Sequence, residues 1–266
     1  SVPRTSHRML RLCGWALCLA ISVAPGIAQQ SVPDIPAVFA AADAAVARGD
    51  PAAARREILA ILSHQPGPAV LGAGAMRLSQ IAALAGDIAG AEKPLQDALA
   101  LLPSGDPAAQ PALAAIYLQL GGLAMARGDM GRAQLALLKG IAIGKRVTTL
   151  DDPQILEAEI SLAIAEIRAF RLPQAADRLQ AVKVRGFADT SRVAALYQGA
   201  LGELFFRQYD YGPALLAQTR ARDLFLALYG PLHAETARAE TSLGSSLFSA
   251  GRYLDAERAL LDAIST

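Results

Sequence analysis

The chain has 266 residues, of which 53% are hydrophobic but only 5% aromatic, and it carries 25 lysine and arginine residues against 24 aspartate and glutamate residues. This length and the abundance of alanine predict a long core built from small side chains between helices, and exclude a single aromatic-rich globule. Because the balanced charge forms no concentrated basic face, neither nucleic acid nor an anionic membrane is an expected partner.

The segment 1–28 has the pattern of a secretory signal peptide. Three arginines precede or flank the start of an apolar run from Leu12 to Val23, and Pro25-Gly26 follows the run. The run is shorter than the roughly 20 apolar residues of a membrane-spanning helix. Small residues up to Ala28 fit cleavage before Gln29. We therefore expect an exported protein, periplasmic or secreted, with an uncleaved membrane anchor as the alternative.

Few chemically reactive residues remain once this leader is removed. Both cysteines, Cys13 and Cys18, lie inside it, and 22 basic residues are left against 24 acidic ones. No disulfide, thiolate metal site or cysteine nucleophile is then expected. His64 and His233 lie far apart and have no ligand partner at helical spacing, so neither a metal site nor a cofactor is expected. No strained Gly-x-Ser-x-Gly nucleophile motif occurs, and we expect no catalytic activity.

The short linker at residues 29–34 leads into the first predicted helix, and a characteristic turn sequence ends that helix. The first helix is predicted over 37–48 and ends at Gly49-Asp50-Pro51. Glycine accepts the left-handed conformation after a helix, aspartate caps the next helix, and proline suits its first turn. The same chemistry returns at Gly86-Asp87 and Gly128-Asp129. The turn also explains two Arg-Gly-Asp tripeptides, which otherwise match an adhesion motif of the integrin-binding type.

A small residue recurs along the chain at a near-constant interval of about 40 residues, and such a period predicts a helical solenoid. The recurring residues are Ala54, Ala91, Ala133, Ala175, Ala214 and Ala256. Leucine stands four positions after four of these alanines: Leu95, Leu137, Leu179 and Leu260. We expect six helix–turn–helix repeats near residues 35–68, 72–105, 114–147, 156–189, 195–228 and 237–266.

These residues resemble the tetratricopeptide repeat (TPR) family, over the chain from about residue 35 to the end. Leu120-Gly121, Leu201-Gly202 and Leu243-Gly244 match part of the family pattern, as do the alanines and leucines above. The long period and the segment 229–233 ahead of Gly251-Arg252-Tyr253 are similar to the kinesin-light-chain-like variety. No unit has the family's tryptophan, and the fourth has Phe170 where others have glycine. The resemblance implies an all-α fold, a right-handed helical solenoid.

In that family the first helices of the repeats line a concave groove that holds a peptide or helix of a partner, and the resemblance implies the same here. The residues predicted to line this groove are Met76, Gln80, Met125, Arg168, Glu203, Phe206, Arg207 and Arg238. The arginines are expected either to meet an acidic partner segment or to pair with Glu203 and Glu240. The family's asparagine-dependent clamp for chaperone tails is not expected, because the chain contains no asparagine.

The expected function is that of a non-catalytic protein–protein interaction scaffold of the bacterial periplasm or cell envelope. The alternative is the N-terminal regulatory segment of a longer enzyme, such as a caspase-like protein with a CHAT domain. Leu260, Leu261 and Ile264 have no following sequence to cover them. They favour a longer chain, a capping partner, or self-association of copies through the last repeat.

Overall fold

The computed structural model describes residues 34–64 and 66–264, and within this part of the chain all regular structure is helical. The predicted signal peptide and nearly all of the predicted linker lie outside the described residues. The helices are α1 (Ile35–Ala47), α2 (Pro51–Leu62), α3 (Pro68–Leu84), α4 (Ile88–Leu101), α5 (Gln110–Ala126), α6 (Met130–Val147), α7 (Pro153–Arg168), α8 (Leu172–Arg185), α9 (Arg192–Arg207), α10 (Tyr211–Tyr229), α11 (Ala234–Ser249) and α12 (Tyr253–Ile264). A 3-10 turn at Pro107–Ala109 precedes α5.

The predicted turn signature is confirmed at the first three repeats. Each aspartate accepts a hydrogen bond from the backbone N–H three residues on: Asp50 from Ala53 at 2.9 Å, Asp87 from Gly90 at 2.7 Å and Asp129 from Arg132 at 3.0 Å. The glycine before each aspartate has φ between +77° and +80°. One glycine therefore ends the first helix, and one aspartate begins the second.

Most first helices begin a few residues before the predicted repeat starts. Helix α3 begins at Pro68 rather than 72, α7 at Pro153 rather than 156, and α9 at Arg192 rather than 195. Local caps account for this difference at α7 and α9. Asp152 accepts from the backbone N–H of Gln154, and Ser191 accepts from that of Ala194. Such caps satisfy N–H groups that the first helical turn leaves without partners.

Phe170 and Tyr209 occupy, in the fourth and fifth repeats, the turn position that is glycine elsewhere. Their φ angles are +57° and +62°, so both keep the left-handed turn conformation despite having a Cβ. This conformation costs an ordinary residue roughly 1–2 kcal/mol. The Phe170 ring recovers part of that cost, because the guanidinium carbon of Arg207 lies 5.3 Å from its centroid. The Tyr209 side chain is exposed.

We expect Tyr209→Gly to raise the free energy of unfolding by about 0.5–1 kcal/mol. The gain is the relief of the left-handed strain less the extra entropy that glycine has in the unfolded chain. Urea denaturation followed by circular dichroism measures it. Tyr209→Ala is the matched control, since it removes the ring but keeps the Cβ. An equal gain in both variants would assign the effect to the ring and contradict the backbone explanation.

Twelve helices in the described chain form six antiparallel pairs stacked in sequence order. Each helix contacts only helices up to two positions away. Successive first helices touch each other (α1–α3, α3–α5, α5–α7, α7–α9 and α9–α11), whereas in this part of the chain no second helix contacts the second helix of the next repeat. First helices are therefore closer together than second helices. The stack is a curved solenoid with its first helices on the concave side, as a repeat architecture requires.

The recurring alanines belong to the buried core of the repeats. All six are buried, from Ala54 through Ala256. Four residues after the third one, Leu137 on α6 lies so close to Gly121 on α5 that a Cβ added to Gly121 would lie 2.6 Å from Leu137 Cγ. The predicted period thus marks the helix-to-helix seam of each repeat. Leu137 itself is buried and packs with Ile141, Ala158 and Leu162.

Residues 107–126 are long and apolar enough to cross a membrane, the one such stretch in the described residues. In the solenoid this stretch packs on α3, α4, α6 and α7. Leu113, Ile116 and Leu123 are buried there, in the cluster formed with Ala91 and Leu95 of α4 for example. Its apolar character is explained by this core position.

A buried ion network joins α6 of the third repeat to α7 and α8 of the fourth. Arg178 donates from Nη1 to Glu159 at 2.5 Å, and from Nε and Nη2 to the two oxygens of Glu166 at 3.0 and 2.9 Å. Lys145 donates to Glu159 at 2.6 Å. Burial alone raises the pKa of the Glu159 carboxyl, but hydrogen bonds and charges from Lys145 and Arg178 outweigh it, so its pKa lies below the ordinary value.

The last helix packs against the preceding helix of the final repeat. Leu260 is half-buried, because it packs over Gly244 of α11, where an added Cβ would lie 2.8 Å from Leu260 Cδ2. The preceding helix therefore covers part of Leu260, which the prediction had considered only with respect to following sequence. Leu261 and Ile264 are exposed, Ile264 at 81%.

Candidate partner-binding groove

The concave side holds a cleft of about 640 Å³ in the C-terminal half of the solenoid. First helices α5, α7, α9 and α11 form its walls, and the second helix α10 contributes to its floor. Apolar lining residues are Met125, Ala126, Ile164, Leu196, Ala200, Ala221, Phe225 and Ala239. This arrangement follows from the stacking, since contact between successive first helices places their free faces side by side.

Three arginines and three glutamates also line the cleft, and they pair with one another. Arg168 Nε lies 3.1 Å from Glu203 Oε1. Arg192 pairs with Glu157 and lies 3.8 Å from Glu235. Arg238 lies 3.2 Å from Glu235. The cleft therefore combines an apolar floor with balanced charge pairs, and it has no net charge of its own.

A smaller cavity of about 190 Å³ opens beside the cleft, between α9, α10 and α11. We call it the side chamber. Its lining residues are Arg168, Gly199, Glu203, Phe206, Arg207, Gln218, Ser242, Ser245 and Ser246. Arg168, Gly199, Glu203, Gln218 and Ser242 line the cleft as well, so the two spaces adjoin each other.

Six of the eight residues predicted for the groove come together at these two spaces. Met125, Arg168, Glu203 and Arg238 line the cleft, and Phe206 and Arg207 line the side chamber. Their role in partner binding stays a prediction.

Met76 and Gln80 lie elsewhere on α3. Met76 is half-buried and packs against the apolar cluster of α3, α4 and α5. Gln80 is exposed and lines a separate cavity of about 170 Å³ with Asp43 and Arg77. Neither residue lines the cleft, and their role in partner binding also stays a prediction.

The three arginines predicted for the groove make different contacts in the structure. Arg168 pairs with Glu203, as the internal alternative predicts. Arg238 pairs with Glu235 rather than with Glu240. Arg207 forms no ion pair within the described residues and stacks on Phe170 instead. Glu240 is buried; burial first, and then the charge of Asp262, raise the pKa of its carboxyl.

Several lining residues were missed by the sequence analysis. Arg192 and Glu235 lie ahead of the predicted repeat starts at 195 and 237, and Glu157 lies at the very start of the fourth predicted repeat. Gln218 lies on a second helix, which the rule of a groove made only by first helices leaves out. Its signal was present in the sequence, because Gln218 occupies a position that is leucine in four other repeats.

The described residues contain no cluster of histidine, cysteine and acidic side chains that could hold a metal ion. What the cleft offers chemically is therefore hydrogen bonding, charge and apolar contact. These are the means by which a protein surface recognises another chain.

Comparison with known proteins places the architecture among solved repeat structures. No protein-family model matches the chain, and no curated protein is significantly similar to it in sequence. BtubC (BKLC) from P. vanneervenii matches with a TM-score of 0.58 and 19% identity, over 88% of this chain and 91% of that protein. The apo form of RapI matches with a TM-score of 0.52 and 11% identity, over 79% of this chain and 57% of RapI.

A third match links the fold to repeats of the kinesin light chain type. The Podosopora anserina protein with nearly identical TPR-like repeats has a TM-score of 0.50 and 16% identity, over 75% of this chain and 95% of that one. Identities this low show the fold alone. Together with the six stacked helix pairs, they show that the chain has the all-α solenoid fold of the tetratricopeptide-like repeat proteins.

Proposed function

We propose that this protein is a non-catalytic protein-interaction scaffold of the bacterial periplasm or cell envelope, and that it binds a partner segment in the cleft. The observation that carries the proposal is the cleft itself, about 640 Å³ on the concave side of the stacked helices. Ligand pockets usually have volumes of about 300–1,000 Å³. The leader pattern in residues 1–28 supports export.

The cleft suits a peptide segment because its apolar and charged parts are separated. Ile164, Leu196 and Phe225 supply apolar contact, and the ion pairs supply groups that can exchange partners. Arg168 and Arg192 are each 40% exposed in their side chains. The Arg192–Glu157 pair is half-buried, but the Arg168–Glu203 pair is exposed. An exposed pair contributes little to folding stability, so a partner can compete for Arg168 at small cost. The helices already hold these groups in place, which reduces the ordering cost of binding.

We expect Arg238→Glu to weaken binding of the natural partner by about tenfold or more. It removes an arginine from the cleft and places a negative charge beside Glu235. Pulldown from the natural host followed by titration of the isolated partner measures the loss.

Arg132→Glu is the matched control for that variant. Arg132 has the same side-chain exposure as Arg238, 71%, and also forms an ion pair with an acidic residue three positions earlier, but it lies on α6 outside the cleft. Equal loss in both variants, or normal binding by Arg238→Glu, would contradict binding in the cleft.

A second candidate is that the solenoid is the recognition segment of a longer enzyme, such as a CHAT-domain protein. Exposed apolar side chains on α12, Leu254, Leu261 and Ile264, favour it, because a further domain or a second copy could cover them. The intact mass of the mature protein from its natural host distinguishes the candidates. A mass near that of residues 29–266 supports the stand-alone scaffold. A much larger mass supports a longer protein, whose remaining part would then be tested for enzymatic activity.

A further inference from the structure

The side chamber concentrates buried polar atoms that have no hydrogen-bond partner. Five such side-chain atoms occur in the described part of the chain, and three of them belong to residues that line this chamber: Arg207 Nε, Gln218 Oε1 and Ser246 Oγ. Gln218 is 5% exposed and Ser246 is 1% exposed. Folded proteins pair nearly all buried polar groups, because an unpaired one loses its bonds to water without replacement. Three such atoms around one small cavity lack partners that the described residues could supply.

The repeat frame shows that two of these residues depart from the core pattern. Nine positions after the turn, the six repeats have Ile58, Leu95, Leu137, Leu179, Gln218 and Leu260. Five positions before the turn, they have Ala44, Ile81, Leu123, Ala165, Leu204 and Ser246. The polar exceptions, one from each of the last two repeats, line the same chamber. Local rules are most often broken at functional sites.

Ser246 differs from the other serines of its own helix. Ser242, Ser245 and Ser249 each donate a hydrogen bond to the backbone carbonyl four residues earlier. Such bonds satisfy a helical serine without any ligand. Ser246 makes no hydrogen bond with its side chain within the described residues, so its buried hydroxyl group has no acceptor among them.

The charges around the chamber indicate which chemistry it receives. Two arginines, Arg168 and Arg207, and one glutamate, Glu203, line the chamber. Arg168 Nε lies 3.1 Å from Glu203 Oε1, so this glutamate is already paired. Arg207 is therefore left without a carboxylate within the described residues. A net positive chamber with free N–H and O–H donors fits a carboxylate group.

We propose that the side chamber receives an aspartate or glutamate side chain of the segment bound in the cleft. Arg207 Nε–H and the Ser246 hydroxyl donate to the carboxylate. Gln218, which lines both spaces, accepts a hydrogen bond from a backbone N–H of the same segment. Each of the three buried atoms then has a partner. This inference rests on the proposed function for the source of the carboxylate, and names the side-chain class that the scaffold selects.

The test titrates the full-length protein with N-acetyl-glutamate N-methylamide, and separately with the matching glutamine derivative. Nitrogen-15 NMR follows the Arg207 Nε–H and the Gln218 side-chain amide. We expect a saturable shift of both signals with the glutamate derivative, at a concentration at least about tenfold lower than with the glutamine derivative, because charged hydrogen bonds are the stronger ones. Equal responses to the two compounds would overturn the proposal.

Gln218→Leu and Ser246→Ala restore the apolar residue types that the other repeats have. We expect both variants to bind the glutamate derivative at least about threefold more weakly, with an unchanged or higher Tm. Gln208→Leu, at an exposed position outside the chamber, is the matched control and should bind normally. A higher Tm with unchanged binding would mean that the chamber holds only water, and the carboxylate assignment would fail.

These probes separate the inference from the proposed function. They need no natural partner, and they report the chamber alone. Loss of the carboxylate response with partner capture still sensitive to Arg238→Glu would leave the scaffold in place and remove only its acidic side-chain preference. A normal carboxylate response with no effect of Arg238→Glu on partner binding would remove binding in the cleft instead.

Discussion

Replacing Arg178 with methionine is expected to lower the free energy of unfolding by about 3–5 kcal/mol, because it leaves two buried carboxylates without their shared partner. Arg178 holds Glu166 through two hydrogen bonds and Glu159 through a third. Glu159 is almost fully buried, at 2% exposure, so water cannot replace the lost contacts. Urea denaturation at neutral pH measures the difference.

Two further variants separate charge from packing. The triple replacement of Arg178, Glu159 and Glu166 by methionine, glutamine and glutamine, respectively, removes the unpaired charges, and we expect it to recover much of the loss. Arg132→Met, which breaks an exposed pair with Asp129, should change stability by less than about 1 kcal/mol. A loss of that small size in Arg178→Met as well would show that the network does not hold the fourth repeat together.

The same ion network predicts how the free energy of unfolding changes at low pH. The pKa of Glu159 is lowered in the folded protein, so its contribution to stability is complete above the ordinary value of 4.5 and is lost as the pH falls through the folded-state pKa. The stability difference between the wild type and Arg178→Met should therefore narrow below about pH 4.5. A difference that widens in acid would contradict the lowered pKa.

Leu137→Ala is expected to lower the free energy of unfolding by about 2–5 kcal/mol. The leucine fills the space over Gly121 between α5 and α6, and its removal leaves a cavity that glycine cannot fill. Leu135→Ala on the same helix is the control, since Leu135 is 66% exposed. We expect the control to change stability by less than about 0.5 kcal/mol, measured by the same denaturation. Similar losses in both variants would mean that the seam of the third repeat is not the packed core described here.

The sequence predicts the fold well because the fold is periodic and local. Buried alanines such as Ala133 and turn glycines such as Gly128 recur with the repeat period, so each repeat supports the assignment of the others. Even the fourth repeat, which lacks the turn glycine, keeps the same backbone with Phe170 at positive φ. The residue type at the turn position varies between repeats, but its left-handed backbone conformation does not.

The ion network and the side chamber were harder to predict for the opposite reason. Glu159, Glu166 and Arg178 look like ordinary surface charges when each helix is considered alone, and only the packing of α7 between its neighbours buries the two glutamates. Gln218 and Ser246 lie far apart in the sequence and on different repeats. Their meeting depends on how two repeats stack, which a pattern within one repeat does not specify.

The missing contacts between successive second helices of the described chain have a mechanical consequence. The stack is joined along its inner edge and through each second helix to the following first helix, but its outer edge is unjoined. Bending that spreads the outer edge therefore separates no pair of second helices, whereas bending that spreads the inner edge must pull first helices apart. Straightening the solenoid should therefore cost contacts between first helices that tighter curvature leaves intact.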